Sequence, residues 1–381
     1  MKVAVILGAF SIGTRPLDFH FSNIWISPRG LTGTDLATVM LARELVKRDH
    51  QVSLFTVHAQ PDNKPAVWEG VKLYNFDERF SVVDDSFDTI ISINEPNVLI
   101  GMTSKPLRVC WQFLNDFSFA APNFDDYVDQ YLGVCDEHTA HVSKLSPNAS
   151  KWGTVGLGCE PTWYEDKRVP GRVVWCSSAD RGLHWLLSQW PAIKAAVPEA
   201  SLKVFYHFNY GDIENIEPST PGQHPHVIEM GQRIRYMRNA MERLKPFGVE
   251  HVGSISRLQM QHELSEASVF AFSCDTVAFS EGFSVSTLEA HASYTVPVIT
   301  SQDCLGGIYK DSGCVMIQAP VKDHLQEFTD AVIRGLTDKQ FADGVIQKCR
   351  AFAEQRSWGN VVKQIEDVII NHSKFKANHG Q

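Results

Sequence analysis

Among the eight cysteines, at 110, 135, 159, 176, 274, 304, 314 and 349, there is no C-x-x-C pair. Their scatter excludes a small disulfide-rich module and suits reduced thiols in the cytoplasm. No apolar stretch approaches the roughly 18 residues that span a bilayer, so a transmembrane helix is not expected. The opening MKVAVILGAFSIG has one lysine, a short apolar run and no small-x-small cleavage site, which separates it from an export signal. The glycosylation sequons at Asn148 and Asn371 then carry no meaning. Excess positive charge is missing too. The net charge of −9 removes any general attraction to phosphate backbones or anionic lipid, and leaves only a local basic face as a route to nucleic acid. No repeat of about 20 to 50 residues is present, so solenoids fall away. Neither a P-loop nor a complete dinucleotide fingerprint occurs, and Gly30 with Gly33 is by itself a weak phosphate signal. His138 and His141 stand at i and i+3 without the H-E-x-x-H pattern or a third ligand, so they read as a surface helix and no metal site is expected.

What the chain has is length and alternation. At 381 residues it exceeds the size at which one core stops growing, so two domains of roughly 150 to 200 residues are expected. The 44% hydrophobic and 21% charged fractions are those of a folded globular protein. Val3 to Phe10 reads as a buried first strand. RGLTGTDLATVMLARELVKRDHQVSLFTV then reads as a glycine turn, a helix from about Asp35 with Leu36, Val39, Met40 and Leu45 inward, and a strand from Val52 to Val57. Apolar runs at 89–93, 108–111 and 130–135 continue the strand series. Composition turns polar over CEPTWYEDKRVPG, residues 159–171, and the domain boundary is placed there, with 1–165 as a first Rossmann-like domain and 166–355 as a second. Runs at 172–176, 202–206, 248–253, 269–273 and 296–300 repeat the order with helices between them, and a helical segment extends from about Gln340 to Ile370. The pattern predicts an α/β fold of two doubly wound domains, with ligands in a cleft at the carboxyl ends of the strands. Residues 233–245 form a helix with Ile234, Met237, Met241 and Leu244 on one face and five bases elsewhere, which is a solvated face or a contact for an anionic acceptor or membrane.

The stretch SEGFSVSTLEAHASYTVPVIT, residues 280–300, follows a strand at such a carboxyl end. Glu281 falls in the loop, Ser284-Val-Ser-Thr in the first turn of a helix, and Glu289 about one turn further in. Unpaired N–H groups at that helix start favour an anion such as a diphosphate. Glu289 could accept hydrogen bonds from the vicinal hydroxyls of a ribose while Glu281 reaches a sugar. The spacing alone fits equally a surface loop acid and a helix acid paired with a neighbouring base.

GVEHVGSISRLQMQHELSEASVFAFSCDTVAFSEGFSVSTLEAHASYTVPVITS, from Gly248 to Ser301, resembles the donor-binding half of glycosyltransferase family 4, retaining enzymes of the GT-B fold. RGLTGTDLATVMLARELVKRDHQVSLFT resembles the family's N-terminal glycine loop and helix, and SSADRGLHWLLSQWPAIKAAVPEASLKVFY a variant with Arg-Gly-Leu where many members have Lys-Gly. Residues from Arg356 onward resemble the helix, about 356–381, that crosses back onto the N-terminal domain. The resemblance implies two Rossmann-like domains facing each other across a cleft, and transfer of a sugar from a nucleotide-diphosphate donor, a UDP- or GDP-sugar, to an acceptor hydroxyl on a glycan, a lipid-linked or another acceptor. It implies retention at the anomeric carbon and no cofactor or metal.

Position by position, the resemblance implies that Arg181 meets the diphosphate, that Gly33 and Thr34 let backbone approach it, that Glu289 holds the ribose, and that Glu281 with Gly282, Phe283, Ser284 and Val285 meets the transferred sugar. It places Gly253 and Ser254 in the turn of the donor half. A guanidinium suits a diphosphate because its fork makes bidentate, charge-assisted hydrogen bonds. Ser284 stands where the family has a second glycine, and Ser177 or Ser178 near a first basic residue of many members. No histidine stands in the Val109–Asp116 stretch, where several relatives carry one, so Gln112, Asn115 or Asp116 could serve the acceptor, with His20 in the long loop before Arg29. These departures keep other readings open: a sugar-nucleotide epimerase or hydrolase, a transferase acting on a hydroxylated nucleic-acid base, or a non-catalytic nucleotide-sugar binding module.

Overall fold

The structure is a computed structural model. It describes residues 1–8, 21–57, 66–118, 120–219 and 222–379, with side chains as far as 372. The chain divides into two compact units, residues 1–158 with 356–381 and residues 159–355. The first unit runs β1 (Lys2–Leu7), α1 (Gly33–Lys47), β2 (Gln51–Thr56), β3 (Ala66–Trp68), β4 (Val71–Asn75), α2 (Arg79–Val82), β5 (Thr89–Ile93), β6 (Leu107–Trp111), β7 (Gln130–Gly133), α3 (Asp136–Val142) and β8 (Trp152–Thr154). The second runs β9 (Arg172–Trp175), α4 (Leu183–Ala196), β10 (Ser201–Phe205), α5 (Pro225–Leu244), β11 (Val249–Gly253), α6 (Arg257–Glu266), β12 (Val269–Phe272), α7 (Val285–Ala292), β13 (Val296–Thr300), α8 (Leu305–Tyr309), β14 (Val315–Ile317), α9 (Leu325–Thr337) and α10 (Lys339–Glu354). The last helix, α11 (Trp358–His379), belongs to the first unit.

Each unit carries one sheet. In the first the order is β3-β4-β2-β1-β5-β6-β7-β8, parallel throughout except for the antiparallel β3–β4 pair. In the second it is β11-β10-β9-β12-β13-β14, all parallel. Parallel strands are covered by helices on both faces, which is why Val3–Leu7, Val269–Phe272 and Val296–Thr300 are buried at every position and read as continuous apolar runs. Burying a large apolar side chain stabilises by about 1.5–3 kcal/mol, and the fully buried Trp111 and Trp358 in one unit and Trp175 and Trp190 in the other mark the two cores. The strand orders matter for function. From β1 the chain first builds outward to β2 and β4, then returns to place β5 on β1's other side; from β9 it builds to β10 and β11, then returns to place β12 beside β9. The crevices where order reverses therefore lie at the carboxyl ends of β1 and β5 and of β9 and β12.

The segment expected to be helical from about Gln340 to Ile370 is two helices, α10 and α11. Ser357 ends the continuity: its carbonyl accepts the Val361 N–H at 3.0 Å and its Oγ the Asn360 N–H at 3.4 Å, an N-cap that opens α11 anew. The indole of Trp358 packs on Gly158, where an added Cβ would come within 2.8 Å of the ring. Glu366 holds α11 to the first unit by accepting from Arg48 Nε and bonding His50 Nε2, each at 2.6 Å.

Candidate functional site

The loop after β9 delivers Arg181, at the end of a 3-10 turn over Ala179–Arg181. Its backbone is fixed from two sides. Gly182 has φ +109°, and a Cβ there would lie 2.0 Å from the Ser273 carbonyl oxygen, so only glycine fits. Ser273 Oγ donates to the Gly182 carbonyl at 2.9 Å, and the Asp275 N–H to the Arg181 carbonyl at 3.0 Å. On the other side the Tyr210 hydroxyl accepts the Asp180 N–H at 3.1 Å and contacts Asp180 Oδ1 and Ser178 Oγ, each at 3.2 Å. Ser178, which stands near the family's first basic position, is thus part of the local scaffold. Asp275 is itself braced, accepting from Trp185 Nε1 at 2.6 Å and pairing with Arg233 at 3.1 Å.

The loop after β12 delivers Glu281, which is buried and ion-paired with Arg181 Nη1 through Oε2. The Glu281 carboxylate raises the Arg181 pKa above its ordinary value, against the opposing effect of burial, so this guanidinium is fixed as a cation. Asp303 shapes the loop: its Oδ2 accepts the Ser280 and Glu281 N–H groups and the Thr276 hydroxyl, all at 2.9 Å. Arg181 follows β9 and Glu281 follows β12. The pair therefore flanks the crevice at which the strand order reverses.

At the start of α7, Ser284 takes the left-handed region, φ +64°, which is the conformation that glycine adopts at no steric cost. Its Oγ caps the helix by accepting the Thr287 N–H at 3.3 Å. Tyr309, fully buried, donates its hydroxyl toward the carbonyls of Phe283 at 3.3 Å and Ser284 at 3.0 Å. In a trans peptide the N–H points opposite the C=O, so the N–H groups of Ser284 and Val285 are directed away from Tyr309. The turn presents donors. One turn on, Glu289 is buried and paired through Oε1 with Arg257 Nη2. Arg257 Nη2 also donates to the Tyr164 hydroxyl at 2.9 Å, and the guanidinium lies 5.2 Å from the Trp163 ring centre.

The remaining residues singled out in the sequence fall as follows. In the second unit Gly253 closes β11 at φ +83°, with nothing within 4 Å of where a Cβ would stand, and Ser254 beside it is exposed. In the first unit Gly33 is the exposed first residue of α1 and Thr34 the second, behind a capping box between Thr32 and Asp35. The helix therefore begins two residues earlier than its apolar pattern implies. Gln112 is buried, its Nε2 donating to the carbonyls of Leu114 and Asp116 at 3.1 Å each. Asn115 is half-buried with Oδ1 lacking a hydrogen-bond partner, and exposed Asp116 accepts the Ser118 N–H at 3.1 Å. His20 lies outside the described residues. His138 is fully buried, its Nε2 bonding the Leu114 carbonyl at 3.1 Å, so the surface-helix reading holds for the backbone of α3 and fails for this ring. Among the described residues no group of three or more His, Cys, Asp or Glu side chains is gathered as for a metal ion, and no helix is long and apolar enough to cross a membrane.

Four residues with clear roles, in three places, were not visible beforehand. Arg257 and Asp303 act through contacts 32 and 22 residues away, and no local pattern marks either. Asn94 and Glu95 form the third case as a pair. They end β5 at the first unit's crevice, Asn94 with φ +63° and its Oδ1 accepting the Phe113 N–H at 2.6 Å, and Glu95 packed on Gly8. A polar pair directly after an apolar strand is the signal that could have marked them. The bases of α5 prove largely occupied: Arg233 pairs with Glu229 and Asp275, Arg235 with Glu217, Arg238 with Glu214, and Lys245 with Glu242. The helix is a knit ionic face, not a bare cationic one.

No family model matches the chain, and no curated protein matches it in sequence. Solved structures do match in shape. A sucrose-phosphate synthase from Thermosynechococcus elongatus is 12% identical, with a TM-score of 0.67 over 99% of this chain and 100% of the other. HepE of Anabaena, in complex with UDP and glucose, is 13% identical, with a TM-score of 0.64 over 97% and 100%. An α,α-trehalose 6-phosphate synthase from Burkholderia multivorans is 10% identical, with a TM-score of 0.64 over 98% and 99%. The two parallel-sheet units together with these likenesses define the fold. The chain has the GT-B fold.

Proposed function

We propose that the chain is a retaining glycosyltransferase that moves a sugar from a nucleoside-diphosphate sugar, a UDP- or GDP-sugar, to an acceptor hydroxyl. The observation that carries the reading is the Arg181–Glu281 pair flanking the β9–β12 crevice, beside a turn whose Ser284 and Val285 N–H groups point away from Tyr309. Fixed donors of this kind stabilise charge that develops on a departing diphosphate. HepE, one of the neighbours in shape, was solved with UDP and glucose, which supports a nucleotide sugar here too.

In this mechanism the bond from the anomeric carbon to the diphosphate oxygen breaks, the acceptor oxygen bonds the same face of that carbon, and the acceptor proton passes to the departing phosphate oxygen. Arg181 and the turn N–H groups carry the leaving charge, so no metal and no protein base is required. Glu281 orients Arg181 and faces the transferred sugar once the diphosphate draws the guanidinium toward it. Glu289 accepts from the ribose hydroxyls. We place the enzyme in the cytoplasm, where its thiols stay reduced.

The experiment is calorimetric binding and thermal shift against UDP, GDP, ADP, CMP and their sugars, followed by turnover with an acceptor panel. Stabilisation by one diphosphate series, abolished in Glu289→Ala, supports the reading. Consumption of donor without acceptor would instead favour a hydrolase or epimerase, binding without turnover on any acceptor a non-catalytic module, and no binding at all removes the assignment.

A further inference from the structure

Each acid of the 281–289 pair is matched by an arginine, and the two matches differ. Arg181 is half-buried and near the surface of the crevice, whereas Arg257 and Glu289 are each 5% exposed. An unpaired carboxylate at that depth takes up a proton and becomes a hydroxyl donor. Arg257 supplies the opposite charge that compensates it. The contact is also one-sided: a single nitrogen, Nη2, reaches a single oxygen, Oε1, and the same nitrogen is shared with the Tyr164 hydroxyl. Burial pushes the Tyr164 phenol well above its ordinary pKa, so it stays a neutral hydroxyl and does not compete for the cation. Among the described residues no hydrogen bond ends on Glu289 Oε2, and Arg257 Nε is buried with no partner. A bidentate Arg–Glu fork would have occupied both carboxylate oxygens. Here one oxygen is held by protein and one is left as a charged acceptor.

We infer that Arg257 is the positioning residue that fixes Glu289 as a one-sided acceptor and thereby makes the site select a ribonucleotide over its 2′-deoxy counterpart. The inference rests on the reading above that Glu289 holds the ribose. Two vicinal hydroxyls are two donors on one edge, and an ionised carboxylate, which has only acceptors, is their complement. Tyr164 and the Trp163 ring hold Arg257 from the segment that precedes β9, so the one cation that meets the carboxylate oxygen is itself braced from a second stretch of the unit.

The test is the ratio of dissociation constants for UDP and 2′-deoxy-UDP, and for GDP and 2′-deoxy-GDP, measured by calorimetry on the full chain. A site built around a hydroxyl rejects the analogue lacking it, so the wild type is expected to favour the ribonucleotide by roughly tenfold or more. Arg257→Lys keeps the charge but draws back, on a shorter side chain, the single nitrogen that serves Glu289 and Tyr164 together, and is expected to bring the ratio near one while binding of the deoxynucleotide is unchanged. Arg257→Met removes the cation as well as the donor, and its ribonucleotide preference is likewise expected to fall to near one. Ligand-free thermal unfolding establishes which variants fold. Should the lysine variant not fold, Tyr164→Phe removes one anchor of Arg257 and leaves the ion pair, with a partial fall in the ratio expected. A wild-type ratio retained in folded Arg257→Lys and Tyr164→Phe overturns the inference while nucleotide binding itself stands. Wild-type binding with no ribonucleotide preference overturns the ribose role of Glu289, and no binding of any of the four nucleotides overturns the proposed function and this inference with it.

Discussion

Asp303 Oδ2 accepts the backbone N–H of Glu281 at 2.9 Å, across 22 residues of chain. The acid that faces Arg181 is therefore suspended from a second acid, which also takes the Ser280 N–H and the Thr276 hydroxyl. Asp303→Ala leaves these donors unmatched in a partly buried loop, which costs about 1–3 kcal/mol. Chemical denaturation should show that loss in a chain that still folds, and turnover should fall because Glu281 is no longer fixed. Full stability and full turnover in the variant would dismiss the role given to Asp303.

Arg181→Ala removes the cation and leaves Glu281 buried without its partner. Loss of one fixed donor to a developing oxyanion lowers turnover by about 10²- to 10³-fold. The same order of loss is expected for Glu281→Ala, with the circular dichroism spectrum kept in both. Addition of EDTA should leave the wild-type rate unchanged; a strict divalent-metal requirement would contradict the mechanism.

Ser284 combines an unfavourable left-handed backbone with a useful cap on Thr287. Ser284→Gly relieves the first and gives up the second, where glycine costs only a few tenths of a kcal/mol, so stability should be unchanged or slightly higher. Ser284→Ala keeps the strain and loses the cap, with an expected loss of about 1 kcal/mol. Thermal unfolding of the two variants side by side decides the matter. An alanine variant as stable as the glycine one would mean that the left-handed backbone costs nothing, and one as stable as the wild type that the cap contributes nothing.

His138 gives the fold a pH dependence. Its Nδ1 accepts the Val134 N–H at 3.4 Å and its Nε2 bonds the Leu114 carbonyl at 3.1 Å, an arrangement that needs the neutral ring. Burial, the largest cause, lowers its pKa to about 4. An unfolded histidine titrates near 6.5, so between roughly pH 6.5 and 4 the unfolded chain binds a proton that the folded chain refuses. Stability is therefore full above about pH 6.5 and falls as pH drops toward 4, by on the order of 2–3 kcal/mol for this ring. In His138→Gln the decline over that window should be shallower. An identical decline would place its origin elsewhere, with His184, whose pKa burial also lowers to about 4, the next group to replace.

The parts of this protein legible in its residues are those where one interaction dominates locally. Parallel strands buried on both faces announce themselves as apolar runs, and the inward face of α5 is readable from Ile234, Met237, Met241 and Leu244, all buried. Four strands, β3, β4, β8 and β14, escape this reading because they are short and only partly buried, without a continuous run. The start of α1 was displaced because its capping box lies ahead of its first apolar residue, and the break before α11 because Ser357 reads as an ordinary helix position until its Oγ is seen to cap. At the site, Glu281, Glu289 and Arg181 stood out by motif. Their pairing did not: which strand ends come together is a property of sheet order, and linear spacing carries no trace of a pair 100 residues apart such as Arg181 and Glu281.

Six of the eight cysteines are buried and the other two half-buried. Burial pushes the Cys110 thiol up to about 12 and Cys314 up to about 11, and raises Cys176 and Cys274 well above the ordinary range. The thiolate is the reactive form, so at neutral pH these four offer little to an alkylating dye, and the other four are all buried away from it. The protein is thus a blank background for site-specific labelling. A single cysteine introduced at exposed Ser254, next to the open position at Gly253, would carry one fluorophore at the rim of the proposed donor site and turn arrival of the nucleotide into an optical signal.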